Sequence, residues 1–78
     1  MALRIKSNVD LKELEKYGFL YKEPVDDLWY SYYFTPDDSL VINYSDREID
    51  FDKEEINYKT FDYLYDLIKA NLVEKVDD

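Results

Sequence analysis

The clearest chemical pattern in the chain is a run of carboxylates at alternate positions. Asp46, Glu48, Asp50 and Asp52 lie two residues apart. Because successive side chains of a β-strand point to opposite faces, this spacing predicts that all four project from one face, with cross-strand neighbours about 5 Å away. Such a row could hold a divalent cation, supply the acid and base of glycoside hydrolysis, attract a basic partner, or form the solvated face of a sheet that resists aggregation.

The sequence argues against the first two of these chemistries. A calcium-binding loop that began at Asp46 would need glycine at its sixth position and glutamate at its twelfth, where the chain has Phe51 and Asn57. A chain of 78 residues also offers little wall for a pocket that buries a sugar. The absence of Cys and His removes thiol nucleophiles, imidazole bases and the usual zinc and haem ligands. We therefore expect a non-enzymatic protein with no catalytic residue, cofactor or metal.

The acidity extends beyond this row. Residues 37–55 hold eight acidic and two basic side chains, and Asp37 and Asp38 belong to this segment. The net charge of the chain is -9, which repels phosphate backbones and anionic membranes, so we expect no direct binding to nucleic acid or membranes. Carboxylates spaced about 5 to 7 Å apart along a sheet instead resemble the phosphates of a nucleic acid. The sequence therefore favours a basic protein partner, including one whose surface normally binds DNA or RNA.

Aromatic side chains are more abundant than a small core can hold. They make up 18% of the chain, and in the strand predicted for residues 28–34, Trp29 and Tyr33 fall on the face opposite their even-numbered neighbours. These two rings either pack beneath residues 19–25 or serve as apolar anchors at an interface, where exposed aromatic rings are enriched. The partner-binding residues predicted from the sequence are Asp37, Asp38, Asp46, Glu48, Asp50, Asp52, Trp29 and Tyr33.

Three strands are predicted between residues 28 and 52. An aromatic run and a β-branched run flank a turn in which Pro36 occupies the second position. Ile49 and Phe51 then alternate with acidic residues, as in a sheet with one solvated face. We expect these segments to form an antiparallel meander. Marginal strands are predicted at residues 2–6 and 73–76.

Two helices are predicted to cover one face of this sheet. Residues 11–17 form a short helix, because Asp10 is a suitable N-cap and Gly18 follows the last turn. Residues 60–71 form the long C-terminal helix, with Thr60 as its N-cap. The apolar stripe that we expect it to bury consists of Phe61, Leu64, Tyr65, Ile68 and Leu72.

These elements predict a single α+β domain over residues 1–78, with residues 77–78 as a frayed tail. The sheet is expected to have three to five antiparallel strands, depending on whether the marginal strands join it. No apolar run approaches the roughly 18 to 20 residues that span a bilayer, and the N-terminal residues lack the apolar stretch of a secretory signal. We therefore expect a cytoplasmic protein.

Two segments of the chain resemble a known group of proteins. They are residues 11–19, with the sequence LKELEKYGF, and residues 64–76, with the sequence LYDLIKANLVEKV, and they flank a tyrosine-rich middle. In these stretches the chain resembles small acidic proteins encoded by phages and prophages of Gram-positive bacteria, whose function is unassigned. The resemblance implies a phage context and transfers no catalytic residue. Small acidic phage proteins as a class include inhibitors of host defence nucleases, among them anti-CRISPR and anti-restriction proteins that imitate nucleic acid.

Two functional hypotheses follow from the sequence. In the first, the acidic hairpin engages a basic surface of a host protein, as a DNA mimic or defence inhibitor does. In the second, the chain is a structural or accessory phage domain that forms a homodimer through the aromatic face of its sheet. The first requires free carboxylates, and the second requires exposed aromatic rings on the sheet.

Overall fold

A computed structural model describes residues 2–23 and 31–76 of the chain. The architecture is α+β, as predicted from the sequence. The elements in chain order are β1 (Ala2–Ile5), a 3₁₀ helix (Leu11–Tyr17), β2 (Leu20–Lys22), β3 (Tyr32–Phe34), β4 (Leu40–Asn43), β5 (Ile49–Phe51), α1 (Tyr58–Lys69) and β6 (Val73–Val76). The predictions for Trp29 and for a frayed tail at residues 77–78 lie outside the described residues.

The strands form two antiparallel sheets. Strands β2, β3, β4 and β5 lie side by side in that order, which confirms the predicted meander and adds β2 to its edge. Strands β1 and β6 pair separately, in the register Ala2 with Val76. The two sheets are joined where the Ile5 N–H donates to the Arg47 carbonyl at 2.9 Å, next to an isolated bridge between Arg4 and Glu48.

The register of the four-stranded sheet defines its inner face. Tyr33, Ile42 and Ile49 lie directly opposite one another on β3, β4 and β5, and all three are buried. They share one hydrophobic cluster with residues of β1, the 3₁₀ helix and α1, namely Ile5, Leu11, Leu14 and Leu67, and with Phe19 and Leu40. The opposite, outer face of the sheet holds the row Leu20, Phe34, Val41 and Asp50.

The first helix occupies the predicted residues but is a 3₁₀ helix. A 3₁₀ helix has three residues per turn, so the three-residue spacing of Leu11, Leu14 and Tyr17 aligns these side chains on one face. Leu11 and Leu14 are buried and Tyr17 is half-buried. Gly18 then reverses the chain at φ 91°, a conformation that glycine adopts without strain, and the Phe19 N–H donates to the Leu14 carbonyl at 3.2 Å.

Helix α1 begins two residues earlier than predicted. Asn57, rather than Thr60, is the N-cap, because its side chain accepts a hydrogen bond from the Lys59 N–H at 2.8 Å. The Thr60 hydroxyl in turn accepts a hydrogen bond from the Asn57 N–H at 3.0 Å, which completes a capping box. Thr60 is fully buried as a result. The helix ends at Lys69, and Asn71 follows in a left-handed conformation with φ 63°.

The buried face of α1 also differs from the predicted stripe. Phe61, Tyr65 and Ile68 are exposed, with 59%, 61% and 50% of their surface accessible. Leu64 and Leu72 of the predicted stripe do pack against the core, as expected. On α1 the packed face also holds Thr60, Tyr63 and Leu67, which were not predicted, and Thr60 and Leu67 are fully buried. Two sets of residues on α1 have helical periodicity, and only one of them is buried. The buried set includes Thr60, whose hydroxyl group is hydrogen-bonded in the capping box. No helix in the described residues is long and apolar enough to cross a membrane.

Candidate functional site

Only part of the predicted row of carboxylates lies on a strand. Asp50 is the only one of the four within β5, where it lies on the outer face opposite Val41, and Asp52 follows directly after the strand. Asp46 lies in the turn between β4 and β5. The expectation of one continuous row is wrong at that end, because Arg47 adopts a left-handed conformation with φ 62° and interrupts the extended backbone before Glu48.

The carboxylates of this hairpin are not neutralised by neighbouring cations. Asp46 and Asp52 accept hydrogen bonds from the backbone N–H groups two residues further on, at 2.9 and 3.0 Å. Asp50 accepts one from the Asn43 amide at 3.3 Å. Asp46, Glu48, Asp50 and Asp52 make no ion pair with any residue that the structure describes. We call these four residues the acidic face.

Arg47, which lies between Asp46 and Glu48 in the sequence, makes its side-chain hydrogen bonds with another part of the chain. Arg47 Nη1 donates to the carbonyl oxygens of Lys6 and Val9, at 2.8 and 2.6 Å. These bonds tie the turn between β4 and β5 to the loop that follows β1. The arginine therefore stabilises the junction of the two sheets and leaves the negative charge of the hairpin in place.

Asp37 is a structural residue, which corrects its predicted role in partner binding. Its Oδ1 accepts hydrogen bonds from the Thr35 hydroxyl at 2.7 Å and from the Ser39 hydroxyl and N–H at 2.7 and 3.1 Å. Its Oδ2 accepts one from the Asn57 amide at 3.0 Å. Partial burial acts to raise the pKa of Asp37, but these hydrogen bonds outweigh it and hold the pKa well below its usual range. Asp38, by contrast, is exposed in the same turn.

Tyr33 is also unavailable as the predicted exposed anchor. Only 4% of its surface is accessible, because it lies on the inner face between Ile42 of β4 and Tyr21 of β2. The Tyr21 ring lies against it, with ring centroids 5.1 Å apart. This arrangement agrees with the alternative in which Tyr33 packs beneath the segment after the 3₁₀ helix. The aromatic side chains of β3 on the outer face are Tyr32 and Phe34, whose ring centroids are 5.8 Å apart.

A cleft lies beside Tyr33, where the inner face of the sheet meets the start of the 3₁₀ helix. Its volume is about 270 Å³, and it is lined by Asp10, Leu11, Lys12, Glu15, Tyr21, Tyr33 and Tyr44. The Tyr44 ring meets the Tyr21 ring edge to face, with centroids 6.3 Å apart. Burial raises the pKa of the Tyr33 hydroxyl, and the negative charge of Glu15 adds to this effect.

This cleft was not predicted from the sequence, although the pattern holds one signal for it. Leu40, Ile42 and Tyr44 continue one alternation on the inner face. A tyrosine at the end of an otherwise aliphatic row is a signal that the core opens to water there. The contribution of Tyr21 could not be found in this way, because β2 was not predicted.

The described residues include no group of three or more carboxylates placed to hold a metal ion. Comparisons of the chain with protein-family models, with curated proteins and with solved structures found no match.

Proposed function

We propose that this chain is a non-enzymatic binding protein whose acidic face engages a basic surface on another protein. The observation that supports this most strongly is that the four carboxylates of the acidic face have no cationic partner in the described structure. Negative charges that have no ion-pair partner repel one another through the field of the protein, and a basic partner would relieve this repulsion on binding.

The outer face of the sheet supplies the apolar part of such an interface. Asp50 lies beside Val41, which in turn lies beside Phe34, and Leu20 completes the row with 49% of its surface accessible. Interfaces combine apolar contacts of this kind with charges that select the partner. Phe34 and Leu20 therefore take the anchoring role that the sequence analysis gave to Tyr33.

The class of partner that we propose is a basic protein that handles nucleic acid. Glu48, Asp50 and Asp52 alternate along the extended segment that includes β5, where residues two apart are about 6.6 Å apart. A row of regularly spaced negative charges is also the main electrostatic feature of a nucleic-acid backbone. Together with the resemblance to small phage proteins, this favours a phage-encoded inhibitor that occupies the nucleic-acid groove of a host defence protein. Such an inhibitor would act in the cytoplasm.

Affinity capture tests this proposal. The full chain is immobilised and exposed to a lysate of a Gram-positive bacterium, beside a variant with Asp46→Asn, Glu48→Gln, Asp50→Asn and Asp52→Asn. We expect the wild-type chain to retain a basic protein that the variant loses and that duplex DNA displaces. Retention of the same proteins by both chains, with both folded, would contradict the proposal.

A matched pair of double variants controls for net charge. Asp50→Asn with Asp52→Asn removes two charges from the acidic face, whereas Asp62→Asn with Asp66→Asn removes two exposed charges from α1. If the acidic face is the binding site, only the first pair weakens capture. Equal weakening by both pairs would mean that net charge alone governs the interaction.

Self-association through the outer face of the sheet is the second candidate function. The exposure of Leu20 at the edge of the aromatic row favours it. Sedimentation of the full chain separates the two, since a homodimer at micromolar concentration that Leu20→Lys dissociates would support self-association, and a monomer would exclude it as the role of this face.

A further inference from the structure

The cleft beside the 3₁₀ helix brings three tyrosine rings and two carboxylates into one small space. Tyr21 and Tyr33 lie opposite each other on β2 and β3, and Tyr44 continues the inner face of β4 beyond Ile42. Asp10 and Glu15 line the same cleft from the 3₁₀ helix and its N-cap. Tyr21 and Tyr44 keep 42% and 52% of their surface accessible, so their rings are open to a ligand.

The chemistry of this lining favours a cation. The face of an aromatic ring has a negative electrostatic potential and attracts ammonium and guanidinium groups. Glu15 makes no ion pair or hydrogen bond through its side chain within the described part of the chain, so its charge remains available. Burial is the main cause of the raised pKa of Tyr33 and disfavours a charge of either sign, but the negative charge of Glu15, which adds to this effect, also attracts a cation.

We propose that this cleft binds the alkylammonium group of a lysine side chain that belongs to the basic partner. At about 270 Å³ the cleft lies just below the roughly 300 to 1,000 Å³ of pockets for drug-sized ligands, and it has room for the end of one long side chain. Tyr44 precedes Asp46 of the acidic face by two residues, so one partner can contact both. The choice of a protein-borne lysine depends on the proposed function, whereas the affinity of the cleft for a cation does not.

An NMR titration of the full chain with small probes tests this inference. The probe is Nα-acetyl-lysine methylamide, and its matched control is Nα-acetyl-norleucine methylamide, which lacks only the ammonium group. We expect the lysine probe, at millimolar concentration, to shift the ring signals of Tyr21, Tyr33 and Tyr44, and the norleucine control to leave them unchanged. No shift with the lysine probe, or equal shifts with both, would overturn the proposal.

Variants of the cleft sharpen the test. Tyr44→Leu and Glu15→Gln should each weaken binding of the lysine probe about two- to fivefold, as expected for one ring or one exposed charge. Tyr58→Leu, which removes an exposed tyrosine on α1, is the control and should have no effect. Lys12→Gln should strengthen binding, because it removes a like charge from the cleft. Weaker binding of the lysine probe to Lys12→Gln would show that the positive charge of Lys12 does not oppose the bound ammonium group and would overturn the proposal.

A third probe distinguishes the source of the cation. Choline presents a quaternary ammonium group without a protein chain. Choline binding at least tenfold more tightly than the lysine probe would identify a small quaternary ammonium compound as the ligand and overturn the assignment to a partner's lysine. Because these probes are not part of a partner protein, their failure to bind would overturn only the lysine site and would not affect the capture experiment. Failure of the capture experiment would overturn the proposed function and would not affect the binding of a cation in the cleft.

Discussion

Single hydrogen-bonding residues fix the connections between elements in this protein. Asp37 links the turn between β3 and β4 to the N-cap of α1, since it accepts from Thr35, Ser39 and Asn57. Asn57 in turn shares its capping box with Thr60. All of these polar groups are satisfied, and the described residues include no buried side-chain nitrogen or oxygen without a partner. This network places α1 relative to the sheet.

Asp37→Asn should therefore lower the free energy of unfolding by about 2 kcal/mol, because an amide cannot accept from all four donors and hydrogen bonds to a charged group contribute about 1.5 to 3 kcal/mol. Chemical denaturation at neutral pH measures this. Asp38→Asn is the matched control, since Asp38 is exposed and asparagine tolerates its left-handed conformation at φ 61°. Equal stability of the Asp37 variant and the wild type would show that the network contributes little.

The pH dependence of stability tests the same carboxylate. The pKa of Asp37 is lower in the folded chain than in the unfolded chain, so its ionised form contributes stability above about pH 4, the unfolded value. That contribution is lost as the pH falls from there towards the folded pKa. We expect the wild-type free energy of unfolding to fall more steeply below about pH 4 than that of Asp37→Asn. Parallel curves for the two chains would contradict the assignment.

Local structure around Asp37 was easier to predict from the sequence than the role of its side chain. Thr35, Pro36, Asp37 and Asp38 have the composition of a turn, and the turn was predicted. The role of Asp37 depends on Asn57, which is 20 residues away, and no local pattern indicates that contact. Asp37 was therefore assigned to the acidic surface on charge alone.

At the scale of elements, the strands were easier to predict than the faces of α1. Its β-branched residues identified β4, and the alternation of Ile49 and Phe51 with acidic residues identified β5. β2 was missed because its three residues are all exposed and it pairs with β3 only through the tertiary fold. On α1, apolar residues occur around most of the helix, so periodicity alone could not identify the buried face.

Paired alanine substitutions test the observed orientation of α1. Leu67→Ala should lower the free energy of unfolding by about 2 to 5 kcal/mol, because Leu67 is fully buried and its truncation leaves a cavity. Ile68→Ala should change it by about 1 kcal/mol or less, because half of the Ile68 surface remains accessible. Thermal or urea unfolding provides both values. A larger effect of Ile68→Ala than of Leu67→Ala would show that Ile68 lies on the buried face, as the sequence predicted.

At the scale of the whole molecule, charge is the dominant feature. The chain has a net charge of -9, and the described ion pairs join only Arg4 with Glu74 and Lys16 with Glu13. A large net charge keeps a protein soluble but destabilises its compact state through repulsion. We therefore expect repulsion within the acidic face to lower the free energy of unfolding. A surface that is kept for binding a partner can carry such a cost.

Salt should consequently stabilise the protein. Raising the ionic strength from about 0.02 M to about 0.5 M screens the repulsion and should raise the melting temperature by on the order of 5 °C. The variant without the four carboxylates of the acidic face should melt at a higher temperature than the wild type and respond less to salt. A melting temperature that does not change with salt would indicate that repulsion across the acidic face is negligible.

If the acidic face binds a basic protein by electrostatic attraction, as we propose, the affinity for the captured partner must depend on ionic strength, and measuring the dissociation constant at several salt concentrations checks this. We expect the dissociation constant of the wild-type chain to rise about tenfold or more from low to moderate ionic strength. The rise should be shallower for Asp50→Asn with Asp52→Asn, and unchanged for Asp62→Asn with Asp66→Asn. A dissociation constant that stays the same at low and moderate ionic strength would contradict the claim.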